Sequence, residues 1–141
     1  MGIRVQVRVV AGCSSALTSA LVNSGFESDT PDLCVPVGLA RALRLWPPSA
    51  FTSEEVETAG GAASVYVLDV EARVQLVIEG EVRRDVPCIL IVNPHVDEVL
   101  LSDYLIDELG IVPISFRKGT WRHVSDPPST VRKSAKPTYW R

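Results

Sequence analysis

The chain has 141 residues, 46% of them apolar and 22% charged, with a net charge of −3. That is enough for one domain with a modest core, and no run of about 18 apolar residues is present to cross a bilayer as a helix. The charge is unevenly spread: residues 117–141 hold seven of the fourteen basic side chains and a single acidic one, Asp126, so a basic C-terminal segment follows an acidic body. No base-stacking aromatic pattern runs through that body, and neither a nucleic-acid nor a membrane partner is expected.

Residues 3–9 alternate apolar and polar side chains, the pattern of a half-buried strand. Arg4 and Arg8 interrupt any signal-peptide core here, which points to a cytoplasmic location. Ala11-Gly12 reads as a turn, and residues 15–22 as a second strand that runs into Asn23-Ser24-Gly25. Residues 33–45 shift to helical spacing. Pro36 suits a first helical turn, where its missing N–H costs nothing. Gly38 keeps this helix short, and Pro47-Pro48 stops it. Residues 58–63, Thr58-Ala59-Gly60-Gly61-Ala62-Ala63, have the small side chains of a loop or mobile hairpin tip.

Strand character resumes over residues 64–70 and alternates over 70–78, with Glu79-Gly80-Glu81 as a hairpin turn. Residues 86–92 are nearly all apolar, as in a strand buried on both faces. Asn93-Pro94 ends that strand. Val99-Leu100-Leu101 is a short apolar run, Ser102 can cap a helix over 103–109, and Gly110 stops it. Residues 111–116 and 119–122 form a final hairpin. Residues 124–141 are rich in Ser, Pro, Lys and Arg; they read as a basic tail, either solvated or docked on the body through Tyr139 and Trp140. The fold class is mainly β, a barrel-like domain over residues 1–123 with one or two short helices. Cys13, Cys34 and Cys88 lack metal-ligand spacing and read as reduced, mostly buried small hydrophobes. No metal or cofactor is expected.

Four segments, in order, resemble the retropepsin-like family, the single-domain aspartic peptidases of retroviral type. The first and most specific is Leu21-Val22-Asn23-Ser24-Gly25. The second is Leu33-Cys34-Val35-Pro36 leading into Ala40-Arg41-Ala42-Leu43. The third is Gly60-Gly61 between strands, and the fourth is Val99-Leu100-Leu101-Ser102-Asp103 with Leu109-Gly110. The resemblance implies a closed acid-protease barrel that acts as a homodimer. One cleft would hold a peptide or unfolded protein and hydrolyse it without a cofactor. It gives Asn23 the position of the catalytic aspartate and Ser24 and Gly25 the rest of the active turn. Glu27, Gly60 and Gly61 take the place of substrate contacts. Asp29 and Asp32 read as turn residues. The N-terminal strand and the last strands are the expected dimer contacts, because exposed strand edges invite pairing.

Two residues depart from the family's pattern: Ser102 stands where glycine is usual, and Asn23 where aspartate is. The second departure decides the chemistry. An aspartic peptidase sets two carboxylates across a dimer axis, sharing one proton because both cannot ionise at such short range. Asparagine has no titrating proton and cannot act as the base. It is nearly isosteric with aspartate, so it keeps the turn and the cleft. The chain is therefore expected to be inactive or nearly so. Asn23 has three readings: an introduced Asp→Asn change, a natural loss in a dimeric peptide-binding module, or an ordinary surface turn.

Overall fold

In a computed structural model the chain forms a mainly β domain, and residues 2–23, 25–58 and 61–141 are described. The elements in order are β1 (Arg4–Ala11), β2 (Ser14–Val22), β3 (Asp32–Val35), α1 (Val37–Ala42), β4 (Phe51–Thr58), β5 (Gly61–Leu68), β6 (Ala72–Ile78), β7 (Glu81–Val92), β8 (Val99–Leu101), α2 (Asp103–Glu108), β9 (Ile111–Ser115), β10 (Thr120–His123) and β11 (Arg132–Lys133). Six strands close into a barrel in the order β3-β8-β2-β1-β6-β7, with β7 returning to pair with β3. The β4–β5 hairpin extends the sheet beyond β7, and β9, β10 and β11 form a separate small sheet. No helix among the described residues is long and apolar enough to cross a membrane.

The alternation in β1 sends Val5, Val7 and Val9 inward, each at most 1% exposed. They meet Leu33, Leu76, Leu90 and Leu101 from the neighbouring strands in one core cluster. Leu39 and Leu43 from the α1 region cap this cluster, as do Leu105 and Leu109 from the α2 region. β7 departs from the reading of its sequence. It is twelve residues long and buries only Cys88, Leu90 and Val92 fully, so one face is half exposed rather than both being sealed. Burial pushes the Cys34 and Cys88 thiols up to about 12, which keeps both protonated and unreactive; Cys13 is exposed.

The segment read as helical from residue 33 splits in two. Residues Asp32–Val35 are a strand wedged between β7 and β8, and the helix starts only after Pro36. Apolar residues at helical spacing cannot distinguish a buried strand from a buried helix over so short a run. Gly61-Ala62-Ala63, read as a loop or mobile hairpin tip, belong to β5, where Gly61 pairs with Thr58, Ala62 with Glu57 and Ala63 with Val56; of residues 58–63, 59 and 60 are left. Those two residues lie outside the described ones.

The basic segment takes the second of its two readings: it is docked, strapped to the body rather than solvated. Lys133 and Arg132 pair with Thr120 and Trp121 of β10. The Arg4 N–H donates to Ser134 Oγ at 2.7 Å, and Ala135 N–H donates back to the Arg4 carbonyl at 2.8 Å. Trp140 is half-buried, and its indole N–H donates to Thr18 Oγ1 at 2.9 Å. The N-terminal strand is flanked along most of its length: β2 lines one side, β6 lines residues 7–11 on the other, and the tail bonds to Arg4. Arg132 holds Asp126 through two bonds of 2.7 and 2.8 Å, and this pairing keeps the Asp126 carboxyl well below the usual carboxylate range.

Candidate active-site loop

β2 ends at Val22 and hands the chain to the loop 23–31, which returns as β3. β8 lies between these two strands, parallel to β2 and antiparallel to β3. The loop must therefore arch over the C-terminal end of β8, where Ser102 and Asp103 begin α2. Backbone bonds fix the crossing: Asp103 N–H donates to the Phe26 carbonyl at 2.9 Å, and Ser102 N–H to the Asp32 carbonyl at 3.2 Å. Strand order alone thus brings the residues after β2 against the first turn of α2.

Asn23 is half-buried at the head of the loop. Its side-chain oxygen accepts the Gly25 N–H at 3.1 Å, and its carbonyl accepts the Phe26 N–H at 3.1 Å. This is a self-closed turn of the kind asparagine and aspartate both make, since only an acceptor oxygen is required. A carboxylate at position 23 can take the same bond. Gly25 is exposed, and Ser24 lies outside the described residues.

Three acidic residues share the loop and do different things. Glu27 and Asp29 are exposed. Asp32 is tied down: Ser28 Oγ donates to one of its oxygens at 2.6 Å and Thr30 Oγ1 to the other at 2.7 Å. Asp103 accepts the Ser28 N–H at 3.0 Å and the Tyr104 N–H at 2.8 Å, so it does more than complement the start of α2. Ser28 and Thr30 are loop-holding residues that the sequence reading did not single out, and Asp103 was placed only in the first turn of α2. The signal was available in Ser28-Asp29-Thr30-Pro31-Asp32, where hydroxyls two and four residues before a carboxylate can fold back onto it.

Ser102 is fully buried and caps α2, its Oγ accepting the Leu105 N–H at 3.3 Å. Its own N–H keeps the bond to the Asp32 carbonyl. Of the hairpin residues assigned to substrate, Gly61 opens β5 with φ of +107°, and Gly60 lies outside the described residues. The hairpin meets the barrel through Tyr66 and Val67, which pair with Val92 and Ile91. At its base, Tyr66 packs edge-on against Trp46 and Phe51, with ring centroids 5.3 and 5.6 Å apart. No protein-family model matches the chain, and no curated protein matches its sequence.

Proposed function

We propose that the chain is one subunit of a retropepsin-like homodimer, an aspartic endopeptidase framework in which Asn23 occupies the position of the catalytic acid. The observation that carries this reading is the loop 23–31 crossing the end of β8, closed on itself by the Asn23–Gly25 bond and held from below by Asp103. A closed six-strand barrel and a hairpin rising beside it support the same reading. In a two-fold dimer the two loops would face each other. With aspartate at both positions, one carboxylate takes a proton from water while its protonated partner polarises the scissile carbonyl. With asparagine at both, no group at the axis can accept that proton. The function of this sequence is then to hold extended peptides without cutting them. Glu27 and the hairpin tip bear on the peptide main chain.

The test is Asn23→Asp. The variant should be dimeric and cleave unfolded polypeptides with a bell-shaped pH profile, because mutual repulsion raises one of the two apparent pKa values. Freshly prepared protein is needed, since deamidation of Asn23 would itself create aspartate. A dimeric Asn23→Asp protein that cuts nothing from acid to neutral pH would leave the binding-module reading in place of the peptidase. A monomer at high micromolar concentration would remove both.

A further inference from the structure

We propose that the outer edge of β4 takes up an extended, lysine- or arginine-rich peptide as an added strand, at a site separate from the Asn23 loop. β4 is the last strand of the eight-stranded order, and among the described residues it pairs with β5 alone. Edge strands of natural proteins are usually blunted by short length, proline, charged side chains or a bulge. Of these β4 has only charge, all of it negative. It runs eight residues without proline or lysine, and its register with β5 is continuous from Phe51↔Leu68 to Thr58↔Gly61.

The direction of its backbone groups follows from one bond. Asp69 N–H donates to the Ala50 carbonyl at 2.9 Å. Residues of an antiparallel pair alternate between bonding their partner and pointing away. Thr52, Glu54 and Val56 therefore bond β5, while Phe51, Ser53, Glu55 and Glu57 direct N–H and C=O outward. That row is a template for one more strand.

The charges select the occupant. Glu54, Glu55 and Glu57 are exposed, and the hairpin carries no basic residue. A second copy of β4 across the edge would set glutamates against glutamates, which opposes pairing. A strand with lysine or arginine at alternate positions carries them all on one face, where they meet Glu55 and Glu57. An open groove of about 570 Å³ at the start of β4, where Phe51 and Leu68 lie beside Ser49 and Asp69, offers a mixed polar and apolar seat for one end of the peptide. Phe51 is 47% exposed there.

The experiment titrates the full chain with fluorescein-labelled peptides of alternating lysine and valine, and of alternating lysine and proline. The lysine–valine peptide should bind, slow exchange of the Phe51, Ser53, Glu55 and Glu57 amides, and weaken with salt. Ser53→Pro removes an outward donor while sparing the bonds to β5; it should weaken binding about tenfold or more. Replacing Glu54, Glu55 and Glu57 together by glutamine leaves the backbone intact and should also cost about tenfold. Glu27→Ala, which bears only on the loop cleft, should leave the slowed exchange of the four β4 amides unchanged. The proposal is overturned if the lysine–valine peptide does not bind, or if the lysine–proline peptide binds equally well. Unaltered binding by a folded Ser53→Pro protein overturns it too. So does loss of that amide protection on Glu27→Ala alone, which would assign the peptide to the loop cleft instead. If Ser53→Pro unfolds the hairpin, the glutamine variant and the amide protection decide the matter.

Discussion

The C-terminal segment and the β4–β5 hairpin both lie outside the barrel, and they are held in opposite ways. The hairpin is fully regular, with eight consecutive cross-strand pairs, yet it joins the barrel by two residues of β5. The segment after His123 contains only a two-residue strand, yet it is tied to β1, β2, β10 and the loop before β8. Regular hydrogen bonding within an element and attachment of that element to the core are separate quantities. Opening free energies track the second, because buried contacts and not ladder bonds resist local unfolding.

The largest test of this contrast removes residues 134–141. Deletion strips the Trp140 indole from Thr18 and Thr138 from Ser19, leaving two hydroxyls, at most 4% exposed in the intact chain, without their partners. The expected cost is about 4 kcal/mol, or on the order of 10 °C in Tm. A shift below about 2 °C would mean that the barrel does not depend on the strap.

Gly38→Ala is the next largest. An added Cβ would lie 2.8 Å from the Trp140 carbonyl oxygen, so the strap backbone occupies the space a side chain would need. Alanine is better than glycine in a helix by about 1 kcal/mol. In the full chain the clash should win and lower stability by about 1–2 kcal/mol, since the neighbour is backbone and cannot swing aside. In the truncated chain the same substitution should stabilise. A sign change between the two backgrounds, measured as a double-mutant cycle, isolates the contact. The same sign in both would refute it.

Gly38 also shows where the sequence was legible and where it was not. Strands with clear alternation, such as β1 and β6, and the Ser102 cap of α2 are readable because each depends on neighbours within a few residues. Gly38 reads locally as a weak point in a helix; its purpose is a contact with Trp140, about a hundred residues later, which no periodicity records. Whether the tail is solvated or docked was left open for the same reason. Its Ser, Pro and Lys composition is that of a solvated segment, while the groups that hold it, the Arg4 backbone and the Thr18 and Ser19 side chains, lie in strands far upstream. In the candidate loop, the Asn23–Gly25 turn was legible. Its clamp by Asp103 was not, because only the placement of β8 between β2 and β3 brings Asp103 beneath Ser28.

The hairpin should show a smaller effect on melting and a larger one on local exchange. Val65 is 4% exposed and is the most buried side chain of β5. Val65→Ala should lower the local opening free energy, read at the Glu54 amide, by about 1–2 kcal/mol for the two carbons of the isopropyl group lost. The barrel should melt within about 2 °C of the parent. An equal loss in exchange at the Leu90 amide would show that the hairpin opens only with the barrel and would erase the contrast.

The smallest effect is a pH dependence confined to the tail side. His123 is 1% exposed at the point where β10 hands over to the tail. Ser125 N–H, which can only donate, reaches Nδ1 at 3.2 Å. The ring proton is therefore on Nε2, which donates to the Leu109 carbonyl at 3.0 Å. Burial lowers the His123 pKa from 6.5; the Leu109 carbonyl opposes this, Arg84 and Arg83 add to it, and Asp126 opposes it. The folded chain thus binds this proton more weakly than the unfolded chain does. The stabilisation is complete above pH 6.5 and is lost as pH falls through the lower folded value. Protonation must also displace the Ser125 donors from Nδ1, which frees the turn that leads to Asp126 and β11. Between about pH 7 and 5, Tm should decline and amide exchange at Arg132 and Lys133 should quicken, while the Glu54 amide in the hairpin stays unchanged. His123→Gln retains a donor for Leu109 and should flatten that decline, whereas His95→Gln, at an exposed histidine, should leave it intact. An equal slope in the His123→Gln protein would place the titration elsewhere and detach the tail from any histidine control.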